Sequence, residues 1–293
     1  MRFSAKFLPF ALLLLVGFAQ AQNQTVPAQL PDGTTHFVIS QGDKSVGTTD
    51  TTIQTTAAGY TVTSQGKMSL SKFTYSFTNT QHLDKSLNLV SDQINGTVNG
   101  SPVTFTAHAD PSGRQFQISI NAQGKETQNT VDRHQHLVLL PDLDASAYVL
   151  LVRMAQQNPL TSWILIPKEQ GLLVPSKYTP GSSVRGSLNG AQVDVQHTTV
   201  TVGEQNPISV ELFYGQDGGL LEADLPEQNF FVVRDGFKLI DRPKPVPPRG
   251  VAPPPQQQGG QQQPAQSQQP QTQQPGATPQ YPAPQSYPQM QPQ

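Results

Sequence analysis

The chain has 293 residues, a net charge of −2, 13% charged residues and no cysteine. Without cysteine, disulfide bonds, thiol catalysis and cysteine metal sites are excluded. The near-neutral charge excludes nucleic acid as a partner, since such binding requires a basic face. No basic amphipathic segment is present to hold an anionic membrane surface.

The first residues have the pattern of an export signal. Arg2 and Lys6 precede an apolar run over residues 7–18, and Ala19-Gln20-Ala21 has the small residues that a signal peptidase requires. We therefore expect residues 1–21 to be a signal peptide and the mature chain to be exported to the periplasm or exterior. No later segment is apolar enough to span a membrane, and no cysteine is available for a lipoprotein anchor.

Composition divides the rest of the chain into three parts. We expect residues 22–34 to be a loose leader and residues 35–241 to be a single β-rich domain. Residues 242–293 are a low-complexity tail rich in proline and glutamine, which we expect to be disordered. The tail acts either as a spacer or as a ligand for an envelope protein or cell-wall component.

Alternating apolar and polar residues dominate the central domain and predict strands. In the segment Arg114-Gln115-Phe116-Gln117-Ile118, the apolar side chains fall on one face and the polar ones on the other. We therefore expect one face of the sheet to be exposed to solvent. The segments that predict strands are HFVIS, YTVTS, FTYSF, VTFTAHA, RQFQISINA, HLVLL, WILIP, AQVDVQHTTVTV, ISVELFY and FFVVRDGFKLI.

Asn-Gly and Asp-Gly pairs recur between the predicted strands and tolerate the positive φ angles of hairpin turns. They predict an antiparallel meander rather than parallel βαβ units, which would need many helices. The pairs are Asn95-Gly96, Asn99-Gly100, Asn189-Gly190, Asp217-Gly218 and Asp235-Gly236.

One helix is predicted over about residues 144–158. Asp144 is a suitable N-cap, and Asn158-Pro159 disfavours continuation of the helix. Apolar residues recur on one stripe, which we expect to pack into the concave side of a curled sheet or half-open barrel. The alternative is a peripheral helix that bridges two sheets of a sandwich.

Three segments carry a resemblance to a known family: FVISQGDKSVGTTDTTIQTTAAGYTVTSQGKMSL, HLDKSLNLVSDQINGTVNG and ELFYGQDGGLLEADLPEQNFFVVRDGF. They are similar to hairpins of exported bacterial domains of unknown function related to the DUF3108 group. The resemblance covers roughly residues 35–241 and implies a curled antiparallel sheet like that of periplasmic lipoprotein carriers. The family carries no established catalytic residues.

A one-sided apolar sheet predicts a non-enzymatic protein that shelters an apolar small molecule or lipid, with the helix as a lid. The alternative is an envelope scaffold in which the tail is the working part. The predicted ligand-binding residues are Phe105, Phe116, Ile118, Leu150, Met154 and Trp163.

His134 and His136 are the candidates for metal chemistry. If they lie on a strand, both side chains point to the same face and can reach one metal ion, which makes a metal-dependent hydrolase a distant alternative. No nucleophile elbow, Walker loop or dinucleotide fingerprint occurs in the sequence, so no catalytic residue and no cofactor are predicted.

Overall fold

The computed structural model describes residues 29–157, 159, 161–169 and 171–243. The predicted signal peptide and all but the first two residues of the predicted tail lie outside this part of the chain. Within it, strand β1 begins at Gly33, Leu30 is buried, and Asp32 accepts hydrogen bonds from the amide and hydroxyl of Thr55 at 2.6 and 2.8 Å. The ordered fold therefore includes the last residues of the predicted leader.

The described residues form seventeen strands, one α-helix and two short 3₁₀ turns. In chain order they are β1 Gly33–Gln41, β2 Lys44–Thr55, β3 Gly59–Leu70, β4 Phe73–Asp84, β5 Leu89–Val98, β6 Ser101–Ala109, β7 Gln115–Ala122, β8 Lys125–Asp132, β9 Leu137–Leu139, α1 Ala145–Gln157, β10 Ser162–Ile166, the turn Pro167–Glu169, β11 Leu172–Pro180, β12 Val184–Leu188, β13 Ala191–Val202, β14 Ile208–Tyr214, β15 Leu220–Leu225, the turn Pro226–Gln228, β16 Phe230–Arg234 and β17 Phe237–Leu239.

The strands form a curled sheet in which neighbouring strands are mostly consecutive in sequence. Strands β1 to β8 pair as an antiparallel meander. The other edge of β1 pairs with β16, and the sheet continues through β15, β14, β13, β11 and β10 to β9. No pairing joins β8 to β9 among the described residues, so the sheet is not closed. The prediction of a mainly antiparallel curled sheet with one helix is confirmed.

One pair of strands departs from the predicted meander. Strands β9 and β10 are parallel, with Val138 opposite Ile164, and helix α1 connects them. Parallel neighbours cannot be joined by a tight hairpin and need a crossover connection. The single helix is therefore the crossover of a βαβ unit, which the prediction of a purely antiparallel chain missed.

Helix α1 lies in the interior of the curled sheet. It contacts β2 and β3 on one side, β14 and β15 on the other, and β9. All residues from Ala145 to Met154 are buried, including Ser146 and Arg153. The helix therefore packs into the concave side of the curled sheet, as predicted, but from Ala145 to Met154 burial extends around the helix rather than along a single apolar stripe. The expected role of the helix as a lid stays a prediction. No helix of the described residues is long and apolar enough to cross a membrane.

Four of the five predicted turns are turns. Asn99 and Gly100 have φ angles of 50° and 79°, and Asn189 and Gly190 have 51° and 82°. Asn95-Gly96 is instead inside strand β5, where Asn95 pairs with Thr78 and Gly96 with Phe77. The β5–β6 reversal uses the second Asn-Gly pair, four residues later.

The convex face of the sheet is exposed to solvent along β7, as predicted, but it is covered by other strands around β14 and β15. Strands β12 and β17 lie over this region, where Val195, Phe213, Leu221 and Phe237 form a second apolar cluster. The expectation of one continuously wet face is therefore wrong here.

Two buried acids lie on the same convex face, on strand β15. Arg242 donates to Glu222 and Asp224 and lies over the rings of Phe213 and Phe231 at 6.0 and 5.3 Å from their centroids. The two carboxylates are nearly inaccessible, with 3% and 7% of their side chains exposed, whereas Arg242 is half exposed. Arg242 thus neutralises charge that the fold buries.

Candidate ligand-binding cavity

Apolar side chains line one end of the concave face, on strands β5 to β7. Ile94 lies opposite Phe105, and Phe105 lies opposite Ile120. Val103 and Ala122 form the next cross-strand pair. Since directly opposite residues project from the same face of a sheet, these five side chains form one continuous apolar surface.

Strand β4 adds a row of aromatic rings to this surface. Phe73, Tyr75 and Phe77 are alternate residues, and successive ring centroids are 6.4 and 5.2 Å apart. Burial, followed by the negative charges of Asp144 and Asp142, raises the pKa of Tyr75 well above its ordinary value. The phenol therefore stays neutral and presents a single polar group beside the apolar surface.

The loops after β9 and β10 cover this surface. Because the two strands are parallel, they end at the same edge, and the amide of Leu140 donates to the carbonyl of Leu165 at 2.9 Å. This places Asp142 beside Pro167 and Lys168, and the Lys168 ammonium donates to the Asp142 carboxylate at 2.6 Å. Both side chains are 52% exposed, so the ion pair lies at the rim.

Between the sheet and these loops is a cavity of about 420 Å³. Val98, Thr127 and Pro141 complete its lining, which is mostly apolar. A volume of several hundred Å³, apolar walls and a few polar groups are typical of sites for small molecules. A second cavity of about 40 Å³, behind the same loop at Tyr148, is too small for an organic ligand.

The structure brings one of the six predicted ligand residues to this cavity, namely Phe105. Trp163 lies on β10 and stacks against His134, with the ring centroids 4.1 Å apart. The other four are buried in the packed core: Phe116, Ile118, Leu150 and Met154.

Four residues of the lining were not among the predicted ligand-binding residues, namely Tyr75, Ile94, Val103 and Ile120. Tyr75, Val103 and Ile120 occupy alternate positions of predicted strands, so that part of the apolar face was detectable, whereas Ile94 lies on β5, which was not among the predicted strands. The part of that face that α1 leaves uncovered depends on tertiary packing, which the strand pattern does not encode.

The histidines proposed for metal binding do not share a strand. Strand β8 ends at Asp132, β9 begins at Leu137, and His136 in the intervening turn has a φ angle of 55°. The His136 amide donates to Asn88, whereas the His134 ring stacks on Trp163. The assumption of a common strand face is therefore wrong. No three His, Asp or Glu side chains of the described residues are grouped to hold a metal ion.

No family model matches the chain, and no curated protein is significantly similar to it. The solved structures to which the chain is similar include the following two. A β-barrel-like protein of domain of unknown function DUF1849 from Brucella abortus has 10% identity and a TM-score of 0.47, with 73% of this chain and 99% of that chain covered. A DUF1089 family protein from Pseudomonas aeruginosa has 11% identity and a TM-score of 0.39, with 68% and 92% covered. The resemblance to the DUF3108 group stays a prediction, and function is argued from this chain's own residues.

Proposed function

We propose that the β-rich domain is an exported, non-enzymatic binding protein that holds an apolar ligand in the cavity of about 420 Å³. The cavity itself is the observation that supports the proposal. Its walls are aliphatic and aromatic side chains of a sheet face that the internal helix does not cover.

The rim determines which ligand the cavity favours. Lys168 and Asp142 form a half-exposed ion pair, and such pairs contribute at most about 1 kcal/mol, so a ligand group can displace either partner. An acyl chain with one polar end fits this arrangement, since the chain would lie against Ile94 and Phe105 and the polar end beside Lys168.

The lining does not favour catalysis. Its ionisable residues are Tyr75, Asp142 and Lys168, and Thr127 carries its other hydroxyl, but the lining includes no histidine that could activate this hydroxyl as a nucleophile. The burial that raises the pKa of Tyr75 keeps this phenol protonated at neutral pH, so it supplies no phenolate that could act as a base. Binding is therefore the function that these residues support.

Native mass spectrometry of the protein purified without detergent from the cell that exports it tests the proposal. We expect an added mass that organic extraction removes, and binding of the apolar dye Nile red to the extracted protein. A bare mass together with no dye binding would refute it.

Adjacent residues on opposite faces of β6 supply a matched pair of variants. Val103 lines the cavity and Thr104 points outwards. Val103→Trp should fill the cavity and weaken dye binding at least about tenfold, which corresponds to about 1.4 kcal/mol. Thr104→Trp should leave dye binding unchanged, and equal effects of both variants would contradict the assignment.

The alternative of a scaffold that acts through its tail concerns residues outside the described part of the chain, apart from Arg242 and Pro243. It makes a different prediction for the same experiments. Removal of the tail would abolish partner recovery, and neither tryptophan variant would change it.

A further inference from the structure

A group of polar side chains is buried on the concave face of β4 and β5, beside the start of helix α1. Asn79, Gln81 and Asp92 are 1%, 0% and 1% exposed. Gln81 lies directly opposite Asp92 in the β4–β5 ladder, and Asn79 is the next residue of β4 on the same face. Opposite residues have Cβ atoms about 5 Å apart, so the three side chains converge.

Four oxygen atoms of this group have no hydrogen-bond partner. They are Oδ1 of Asn79, Oε1 of Gln81 and both carboxylate oxygens of Asp92. The amide nitrogens of the same group are engaged, because Asn79 donates to Asp144 at 2.8 Å and Gln81 donates to Ser146 at 3.4 Å. What the fold leaves unsatisfied is therefore a set of acceptors, and buried acceptors are normally paired.

The charge of the group is also unbalanced. Asp144 uses one oxygen to accept from the amide and hydroxyl of Ser146 and the other to accept from Asn79, and it benefits from the helix N-terminus. Neither Asp92 nor Asp144 forms an ion pair with a lysine or arginine of the described residues. A buried carboxylate without a counter-charge either takes up a proton or binds a cation.

We propose that Asn79, Gln81 and Asp92 form a binding site for a hard divalent cation, with Ca²⁺ as the preferred ion. Carboxylate and amide oxygens are ligands that Ca²⁺ takes in a flexible geometry, with water at the remaining positions. Mg²⁺ fits less well, since it demands near-ideal octahedral geometry and gives up its water reluctantly. The set has a single directly coordinating carboxylate, and its other two ligands are neutral amides.

The electrostatics support the same site. Burial first, and then the charge of Asp144, hold the pKa of Asp92 well above its ordinary value. The side-chain amide of Asn79, which lies close to Asp92 without forming a hydrogen bond of full geometry, acts in the opposite direction. The positive charge of a divalent ion would lower the pKa of Asp92 and keep its carboxylate ionised.

Ca²⁺ alone is the probe for the test. The purified protein is treated with a chelator and dialysed against Ca²⁺ up to about 10 mM, which covers the weak affinities of extracellular calcium sites. We expect one Ca²⁺ per chain by elemental mass spectrometry. At one hundred times the dissociation constant, the melting temperature should rise by roughly 5–10 °C, as linkage predicts for a domain of this size.

Three variants locate the ion. Asp92→Asn should abolish the Ca²⁺-dependent rise, and Gln81→Met, which removes one oxygen without changing charge, should weaken Ca²⁺ binding roughly tenfold. Asp43 is exposed in the β1–β2 turn, and Asp43→Asn should behave as the unchanged protein. If Asp92→Asn does not fold, Gln81→Met and the wild-type metal content still decide the matter.

The absence of a Ca²⁺ effect would also give a clear answer. A protein that retains no Ca²⁺ after dialysis, and whose melting temperature is the same with Ca²⁺ and with chelator, would overturn the proposal. Asp92 would then be a protonated acid, and Asp92→Asn would leave stability unchanged or raise it. The site shares no residue with the cavity, so this outcome does not depend on whether an apolar ligand binds.

Discussion

The side-chain amide of Asn79 on strand β4 donates a 2.8 Å hydrogen bond to the carboxylate of Asp144, the residue that caps helix α1. The other oxygen of Asp144 accepts from the amide of Ser146 at 2.9 Å, as the predicted N-cap requires. One fully buried carboxylate thus both begins the helix and attaches it to the concave face of the sheet.

Asp144→Ala should therefore lower stability by more than loss of an exposed cap would. Loss of the cap costs about 1 kcal/mol and the unpaired Asn79 amide costs about 1–3 kcal/mol, so we expect roughly 2–4 kcal/mol by urea denaturation. Asp144→Asn retains a capping oxygen and should lose less. Equal losses for the two variants would show that capping does not matter here.

Arg242→Ala should leave the negative charge that the acid pair Glu222 and Asp224 shares buried without a counter-charge. Removing one partner of a buried ion pair costs about 3–5 kcal/mol, and the half exposure of Arg242 places the expected loss at the lower end. Arg242→Lys should be intermediate, because an ammonium lacks the planar fork that reaches two carboxylates and stacks on rings. Adding Glu222→Gln to Arg242→Ala should restore part of the loss, and a double variant less stable than the single one would contradict this account.

The acid pair also predicts how stability changes with pH. Burial first, and then Glu222, raise the pKa of Asp224 to about 8 despite the opposing effect of Arg242. An unfolded aspartate titrates near about pH 3.9, so between these values the folded state binds a proton that the unfolded state releases. The free energy of unfolding should then fall as pH rises from about 4 to 8, by at most about 1.4 kcal/mol per pH unit.

Urea denaturation of the wild type and of Asp224→Asn at several pH values isolates this contribution. The raised pKa of Asp92 acts in the same direction in both proteins and cancels in the difference. The difference in stability between the two proteins should change steadily over the window. A difference that is constant with pH would mean that Asp224 is ionised throughout.

The position of Arg242 determines where the chain can be shortened. Among the described residues, which end at residue 243, Arg242 is the last with a side-chain contact to β15. A chain that ends after Lys244 should unfold at the same urea concentration as the full chain. A chain that ends after Asp241 should lose as much stability as Arg242→Ala, and equal stability of the two shortened chains would refute the role of Arg242.

The two Asn-Gly pairs of β5 and the following turn should respond differently to the same substitution. Gly100 has a φ angle of 79° and open space around it, so Gly100→Asn should cost less than about 1 kcal/mol, since asparagine tolerates this conformation. A Cβ at Gly96 would lie 2.5 Å from the carbonyl oxygen of Ser76, and Gly96→Asn should cost about 3 kcal/mol or more through overpacking. Chemical denaturation of both variants measures the contrast.

Local patterns predicted the parts of the fold that depend on local chemistry. The alternation of Phe116 and Ile118 identified β7 and its buried face, and Asp144 identified the start of the helix. Asn95-Gly96 was wrongly assigned to a turn, because an Asn-Gly pair also occurs inside strands. There the glycine lets the backbone of the neighbouring strand come close. Its strand location follows from pairing with β4, which is a tertiary property.

The candidate sites were harder to predict for the same reason. Glu222 and Asp224 alternate with apolar residues and therefore resemble the wet face of a strand, yet β12 and β17 help to cover that region. Arg242 begins a proline-rich segment and was grouped with it by composition. The position of α1 inside the curled sheet determines which part of the concave face stays open as the cavity and which oxygens are buried. No single segment of sequence specifies that position.

The pairing of β1 with β16 joins a strand near the beginning of the described chain to one near its end. Neighbouring hairpins of β1 to β8 can assemble early, because their partners are adjacent in sequence and the loops that close them are short. The free edge of β1 stays uncovered until β16 is available to pair with it, and the interior face of β2 and β3 stays uncovered until α1 packs against it. The pairing of β1 with β16 is therefore a late step of folding. Before this step, the unpaired edge of β1 can pair with another copy of the chain and cause aggregation.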